Sequence, residues 1–198
     1  MRLNVYYPTH SLIAQAQLQS GIKLGDPSYG GTGCPAGTAS VTLSPSQDAL
    51  SILFDQFVAE AGGIYGRRVD RKSCNLSIPV QIPQGYSVAV IQTDYRGFNL
   101  VPAMGAMNKI ESEYFWAGIR GPKYSQIYRG PINDNFTLSN GILAESLVWT
   151  PCGATITLRV NTNIMTQTNA RNDQSMMTVD SADITSGLIY HLQWRQCR

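Results

Sequence analysis

Charge is scarce in this 198-residue sequence: Asp, Glu, Lys and Arg make up 14% of it, against about 25% in an average soluble protein. Ser, Thr, Asn, Gln and Gly carry the surface instead, a habit of extracellular β-proteins more than of cytosolic enzymes. The formal net charge is only +2. Holding many phosphates needs a concentrated basic face, so no nucleic acid is expected as a partner. No apolar run reaches the roughly 18 residues of a spanning helix, so no transmembrane segment is expected. Histidine is limited to His10 and His191. The cysteines lack the close spacing of zinc or redox motifs, which leaves a metal site without support. No Gly-rich loop follows a strand and opens a helix, so no nucleotide or other cofactor is expected. Internal repeats and low-complexity segments are missing too.

The four cysteines present, Cys34, Cys74, Cys152 and Cys197, are even in number and widely spaced. Two disulfides in an oxidising compartment is the leading reading, with four free core thiols as the alternative. The N-terminal stretch "MRLNVYYPTHSLIAQAQ" contains Ala14-Gln15-Ala16, a small-x-small pattern that signal peptidase cuts, but Asn4, Pro8, Thr9 and His10 interrupt the apolar region that should precede it. Either the chain starts partway through a signal peptide or the match is accidental.

Residues 1–33 read as a tail ending in "GDPSYGGTG", where Gly and Pro oppose regular structure, and residues 34–198 read as one domain. From Thr38 onward, runs rich in Val, Ile, Thr, Tyr and Phe recur between turn signals: "ASVTLS", "NLSIPVQI", "YSVAVIQTDY", "IESEYFWAGI", "YSQIYRG", "SLVWT", "ATITLRVNT", "SMMTVDS" and "GLIYHLQW". This pattern predicts an all-β fold, an antiparallel sandwich of Ig-like or Greek-key type. In "YSVAVIQTDY" neither alternating face is fully apolar, so burial is expected to change sides along a long strand, with Val88 and Val90 buried. "SPSQDALSILFDQFVAEAGG" fits a helix through Leu50, Leu53, Phe54, Phe57 and Val58, and a strand through Leu50, Ile52 and Phe54. The flanking Pro45 and the strand before it favour a hairpin.

The segments "GGTGCPAGTASVTLSPSQDALSILFDQFVAEAG", "RKSCNLSIPVQIPQGYSVAVIQTDYRGF", "WTPCGATITLRVNT" and "VDSADITSGLIYHLQWRQC" together resemble the secreted proteins of the domain of unknown function 4360 family. The resemblance covers Tyr29 to Cys197 and is most specific at the "GCP", "RKSC", "PCG" and closing "W-x-x-C" contexts. It implies secretion, a β-rich fold and four framework cysteines, hence an extracellular or periplasmic location, and no activity. Strand counting then makes Cys34 with Cys74 an easy bridge, since both precede strands starting at one end. The remaining pair, Cys152 with Cys197, needs a crossover between sheets, as in a Greek key.

The site candidates are few. "GRRVDRK" gathers Arg67, Arg68, Arg71 and Lys72 around Asp70, enough to attract an anionic polysaccharide or lipid headgroup, or simply to solvate a loop. "TDYRG" offers Asp94, Tyr95 and Arg96 as a weaker ligand face beside its reading as strand-end structure. Glu111 and Glu113, near Tyr114, Phe115 and Trp116, have the spacing of a glycosidase pair, yet same-strand alternation accounts for them. A glycan-active enzyme would need carboxylates from different strands to converge, such as Glu111 with Asp94. His191, between expected core residues of "LIYHLQW", reads as structural. Asn133, Asp134, Asp180 and Asp183 read as turn residues, and Asn75 and Asn135 head glycosylation sequons. The sequence points to a secreted binding or structural module for a polysaccharide or cell-surface component. A glycan-active enzyme and a loop-acting inhibitor or effector remain alternatives.

Overall fold

The computed structural model describes residues 21–179 and 188–197. Alternating apolar residues build two antiparallel sheets packed face to face. In the front sheet, β1 (Lys23–Leu24) and β2 (Ser28–Gly30) line one edge of β6 (Val69–Gln81), followed by β11 (Thr155–Gln167), β8 (Met107–Trp116) and β9 (Lys123–Arg129). The back sheet runs from β3 (Ala39–Leu43) through β4 (Ala49–Phe54), β13 (Leu188–Gln196), β7 (Tyr86–Val101) and β12 (Ser175–Val179) to β5 (Val58–Ala61). Here β10 (Ile132–Gly141) covers the other side of β7. The chain is a β-sandwich, as its alternation predicts.

The longest strand explains its own mixed pattern. Over its first half β7 pairs with β13, and over its second half with β12. Leu192 faces Val90 whereas His191 faces Gln92, so Ile91 is an extra residue, a β-bulge. One inserted residue reverses the parity of everything after it. Val88 and Val90 point inward before the bulge, and Thr93 and Tyr95 after it. The opposite parity leaves Gln92, Asp94 and Arg96 on the outer side.

The core lies between Leu76, Ile78 and Val80 of β6, Ile110, Tyr114 and Trp116 of β8, and Leu158, Val160 and Ile164 of β11 on one side, and β4, β7 and β13 on the other. Tyr114 meets Tyr190 edge-on at 5.7 Å between ring centres, Tyr95 stacks on Tyr124 at 5.3 Å, and the Trp116 indole donates to the Val148 carbonyl. Burial pushes the Tyr114 and Tyr190 phenols well above their ordinary range, which keeps them neutral. Towards one end the core turns polar. Asn108 donates to Asn99 and to the Met176 carbonyl, and the Thr166 and Ser175 hydroxyls share a hydrogen bond. Such a network ties the two sheets in one register, because each buried polar group left unmatched is costly.

Both disulfides are present: Cys34 with Cys74 and Cys152 with Cys197. The first is fully buried and fastens the chain entering β3 to the middle of β6. The second sits where the chain leaves β10 in the back sheet for β11 in the front sheet, and ties that crossover to the end of β13.

Three local expectations change. "NDNFTLSN" is the interior of β10, not a turn. Ile132, Phe136 and Leu138 supply its inward half, so Asn133 and Asp134 are strand residues; Asp180 and Asp183 lie outside the described residues. "SLVWT" keeps only an isolated bridge from Trp149 to Ala89. Residues 21–33, read as part of a tail, add β1 and β2 to β6. Ala14 to Ala16 lie outside the described residues. The ambiguous segment is the hairpin: β4 buries Leu50, Ile52 and Phe54, and Phe57 fills the link to β5.

Candidate functional site

The outer face of the front sheet is a ruled surface of hydrogen-bonding side chains. Register places Ser73, Asn163, Glu111 and Ser125 in one row across β6, β11, β8 and β9, and Asn75, Asn161, Glu113 and Lys123 in the next. On one side of these rows lie Arg71, Met165, Lys109 and Ile127, and on the other Ser77, Arg159 and Phe115. Rows two residues apart are about 7 Å from one another and strands about 5 Å, so the face spans roughly 15 by 20 Å. Two open depressions meet on it. One, of about 520 Å³, lies against Arg71, Lys109, Glu111, Ile127, Asn163 and Met165. The other, of about 310 Å³, lies against Glu111, Glu113, Lys123, Tyr124 and Asn161.

The acids of this face are already matched. Glu111 pairs with Lys109 at 2.7 Å and Glu113 with Lys123 at 3.2 Å. Arg71 and Arg159 have no ion-pair partner among the described residues. The face therefore carries a surplus of positive charge at its two ends, separated by amides, hydroxyls and neutralised carboxylates. Two carboxylates engaged by lysines on one strand do not form an acid and nucleophile on opposite sides of a scissile bond. Glu111 and Asp94 do not converge either, because they stand on the outer faces of different sheets, which pack about 10 Å apart, and point away from each other.

The basic and "TDYRG" candidates do not share a surface. Arg67 and Lys72 gather on Asp70, at 3.1 and 3.8 Å, which also accepts from the Glu60 backbone. Arg68 is exposed at the end of the sandwich, and Arg71 belongs to the front face. Asp94, Tyr95 and Arg96 are in the back sheet, and Tyr95 is in the core, so its ring is not offered to a ligand. Asp94 pairs across strands with His191, Oδ2 to Nε2 at 2.7 Å, and accepts from Gln92 Nε2 at 2.9 Å. Burial pushes the Asp94 carboxyl up, but hydrogen bonds from His191, Ser139 and Gln92 outweigh it and hold it below the usual carboxylate range. His191 is half-exposed on the outer side, alternating with the buried core residues Tyr190 and Leu192 as its sequence pattern predicts. Ser139 bonds the Asp94 carboxylate, so these groups do not line up as nucleophile, base and orienting acid. Among the described residues no group of three or more His, Cys, Asp or Glu could hold a metal ion, and no helix is long and apolar enough to cross a membrane.

Sequence reasoning missed Arg159, Asn161 and Asn163 as a set, although their alternation in "LRVNTN" was visible. Their neighbours Lys109 and Lys123 come from other strands, and only register brings them together.

The family model described as Domain of unknown function (DUF4360) matches residues 20–197. The chain belongs to this family. An "Uncharacterized secreted protein" of Arthroderma benhamiae is 36% identical over 171 residues, which is 85% of this chain and 69% of that protein. Its secretion and the two disulfides here put this family member outside the cell. Among solved structures, TmCBM61 in complex with β-1,4-galactotriose aligns over 86% of this chain and 88% of that one, at 11% identity and a TM-score of 0.32. The enzymatically active domain of a bacteriophage CBA120 tailspike protein aligns over 86% of this chain and 19% of that one, at 11% identity and a TM-score of 0.23. Neither likeness bears on what this chain binds.

Proposed function

We propose that this secreted domain is a non-catalytic binding module that lays an anionic polysaccharide across the outer face of the front sheet. The observation that carries this reading is the pairing state of that face. Glu111 and Glu113 are neutralised by lysines, while Arg71 and Arg159, at its ends about 20 Å apart by strand rise, have no ion-pair partner among the described residues. Guanidinium groups bind carboxylate or sulfate in a two-pronged geometry. Between them, Asn75, Asn161 and Asn163 each offer both a donor and an acceptor, the complement of vicinal hydroxyls. Met107, Ile127 and Met165 give apolar contact for sugar ring faces. An extended chain needs a long open face of this kind more than a closed pocket.

The test is retardation in native gels containing polygalacturonate, sulfated dextran or neutral dextran. The wild-type domain is expected to be slowed by one of the charged polymers, which identifies carboxylate or sulfate as the recognised group, and to pass neutral dextran freely. No retardation by either charged polymer, or equal retardation by neutral dextran, overturns the proposal.

A further inference from the structure

The antiparallel register collects four connections at one end of the sandwich: residues 62–68 between β5 and β6, 102–106 between β7 and β8, 130–131 between β9 and β10, and 168–174 between β11 and β12. They are bolted together. Asn169 donates from Nδ2 to the Ala103 carbonyl and to Asp173, and its Oδ1 accepts from the backbones of Arg171 and Asp173. The Gly63 amide donates to the Asn172 carbonyl. The Gly62 amide donates to the Arg67 carbonyl, and the Thr168 amide to the Arg68 carbonyl. At Gly62 a Cβ would lie 2.2 Å from the Asp173 carbonyl oxygen, so a side chain there would pry two of the loops apart.

This rigid end holds two large apolar side chains out in water. Ile64 is 92% exposed on a single 3₁₀ turn, and Met104 is 68% exposed. Met104 has a φ of 63°, a left-handed conformation that costs a residue with a Cβ and that a glycine would take freely. Arg68 and Arg171 are exposed in the connections of this end and Arg129 is exposed at the end of β9 beside it, and none has an ion-pair partner among the described residues. The carboxylates of this end are engaged: Asp70 by Arg67 and Lys72, Asp173 by Asn169, and Glu60 by the Tyr65 hydroxyl.

We propose that this end docks on an anionic lipid surface, with Ile64 and Met104 entering the headgroup boundary and Arg68, Arg129 and Arg171 facing the lipid charges. Two separate apolar tips at an end that also carries exposed arginines suit a membrane better than a protein partner. A stable protein interface needs a contiguous, shape-matched core patch, whereas each side chain partitions into a bilayer boundary on its own and nearby cations add to the attraction.

The full chain is sedimented with vesicles of phosphatidylcholine alone and of phosphatidylcholine with phosphatidylglycerol. Binding is expected only to the second kind and to weaken with added salt. The Ile64→Ser, Met104→Ser double variant is expected to lose it, and each of Arg68→Gln and Arg171→Gln to weaken it about fivefold (~1 kcal/mol per charge). Arg159→Gln, on the front face, is expected to leave it unchanged, which separates this site from the polysaccharide face. Sequential exposure of these tips to solvent means that the variants should keep the wild-type melting temperature. No binding to the anionic vesicles, equal binding to neutral ones, or undiminished binding by the double apolar variant overturns the proposal.

Discussion

Single residues already separate what supports the fold from what is available for binding. Asp94 is held below its ordinary pKa by His191, Ser139 and Gln92 against the opposing effect of burial. A carboxyl with a depressed folded-state pKa stabilises the protein above its unfolded value of about 3.9, and that contribution is lost as pH falls through the folded value. The urea midpoint should therefore drop between pH 5 and pH 3 (roughly the carboxyl range), and Asp94→Asn should drop less over the same interval. Tyr128 is a contrasting case: its hydroxyl is buried without a partner among the described residues, and burial raises its pKa to about 12. Removing an unmatched buried polar group is not costly. Tyr128→Phe is expected to melt at or above the wild-type temperature; a fall of several degrees would show that the hydroxyl has a partner. The inward alternation of Leu50, Ile52 and Phe54 was readable from the sequence, but Asp94 with His191 was not, because 97 residues separate them and only strand order makes them neighbours.

At the scale of elements, β7 decides the arrangement. Its mixed sequence pattern signalled a change of buried side, and the bulge at Ile91 is the cause. Deleting Ile91 would remove the bulge and leave Val88, Val90, Thr93 and Tyr95 on one unbroken parity, all still inward. Inserting one alanine after Ile91 would instead send either Val88 and Val90 or Thr93 and Tyr95 to solvent; that variant is expected to yield no cooperative thermal transition, and a normal melt would mean that the bulge can absorb a second extra residue. Gly97 marks the point where β7 exchanges β13 for β12. A Cβ there would lie 2.0 Å from the Thr178 carbonyl oxygen, so Gly97→Ala is expected to cost about 1–3 kcal/mol in a urea titration. The β10 strand escaped sequence reading because its "NDN" start has turn chemistry, while pairing along the whole second half of β7 overrides that local preference.

For the whole molecule, the two disulfides close loops spanning 40 and 45 residues, each worth about 2–4 kcal/mol in a domain of this kind. Cys34 and Cys74 are completely buried while Cys152 is exposed, so mild reductant followed by alkylation should label Cys152 and Cys197 first, by mass mapping. The sandwich class and the even cysteine count were legible in alternation and spacing. The proposed binding face was not, because Arg159, Asn161, Glu111, Glu113 and Lys123 become one surface only after three strands are set in register. That face is the central claim, and calorimetric titration of a charged oligosaccharide that retards the domain tests it most directly. With wild type against the Arg159→Ala variant, the account predicts saturable binding that weakens about ten- to hundredfold on losing a charged hydrogen-bonding group, with the melting temperature unchanged. Equal affinity of the two proteins would contradict it.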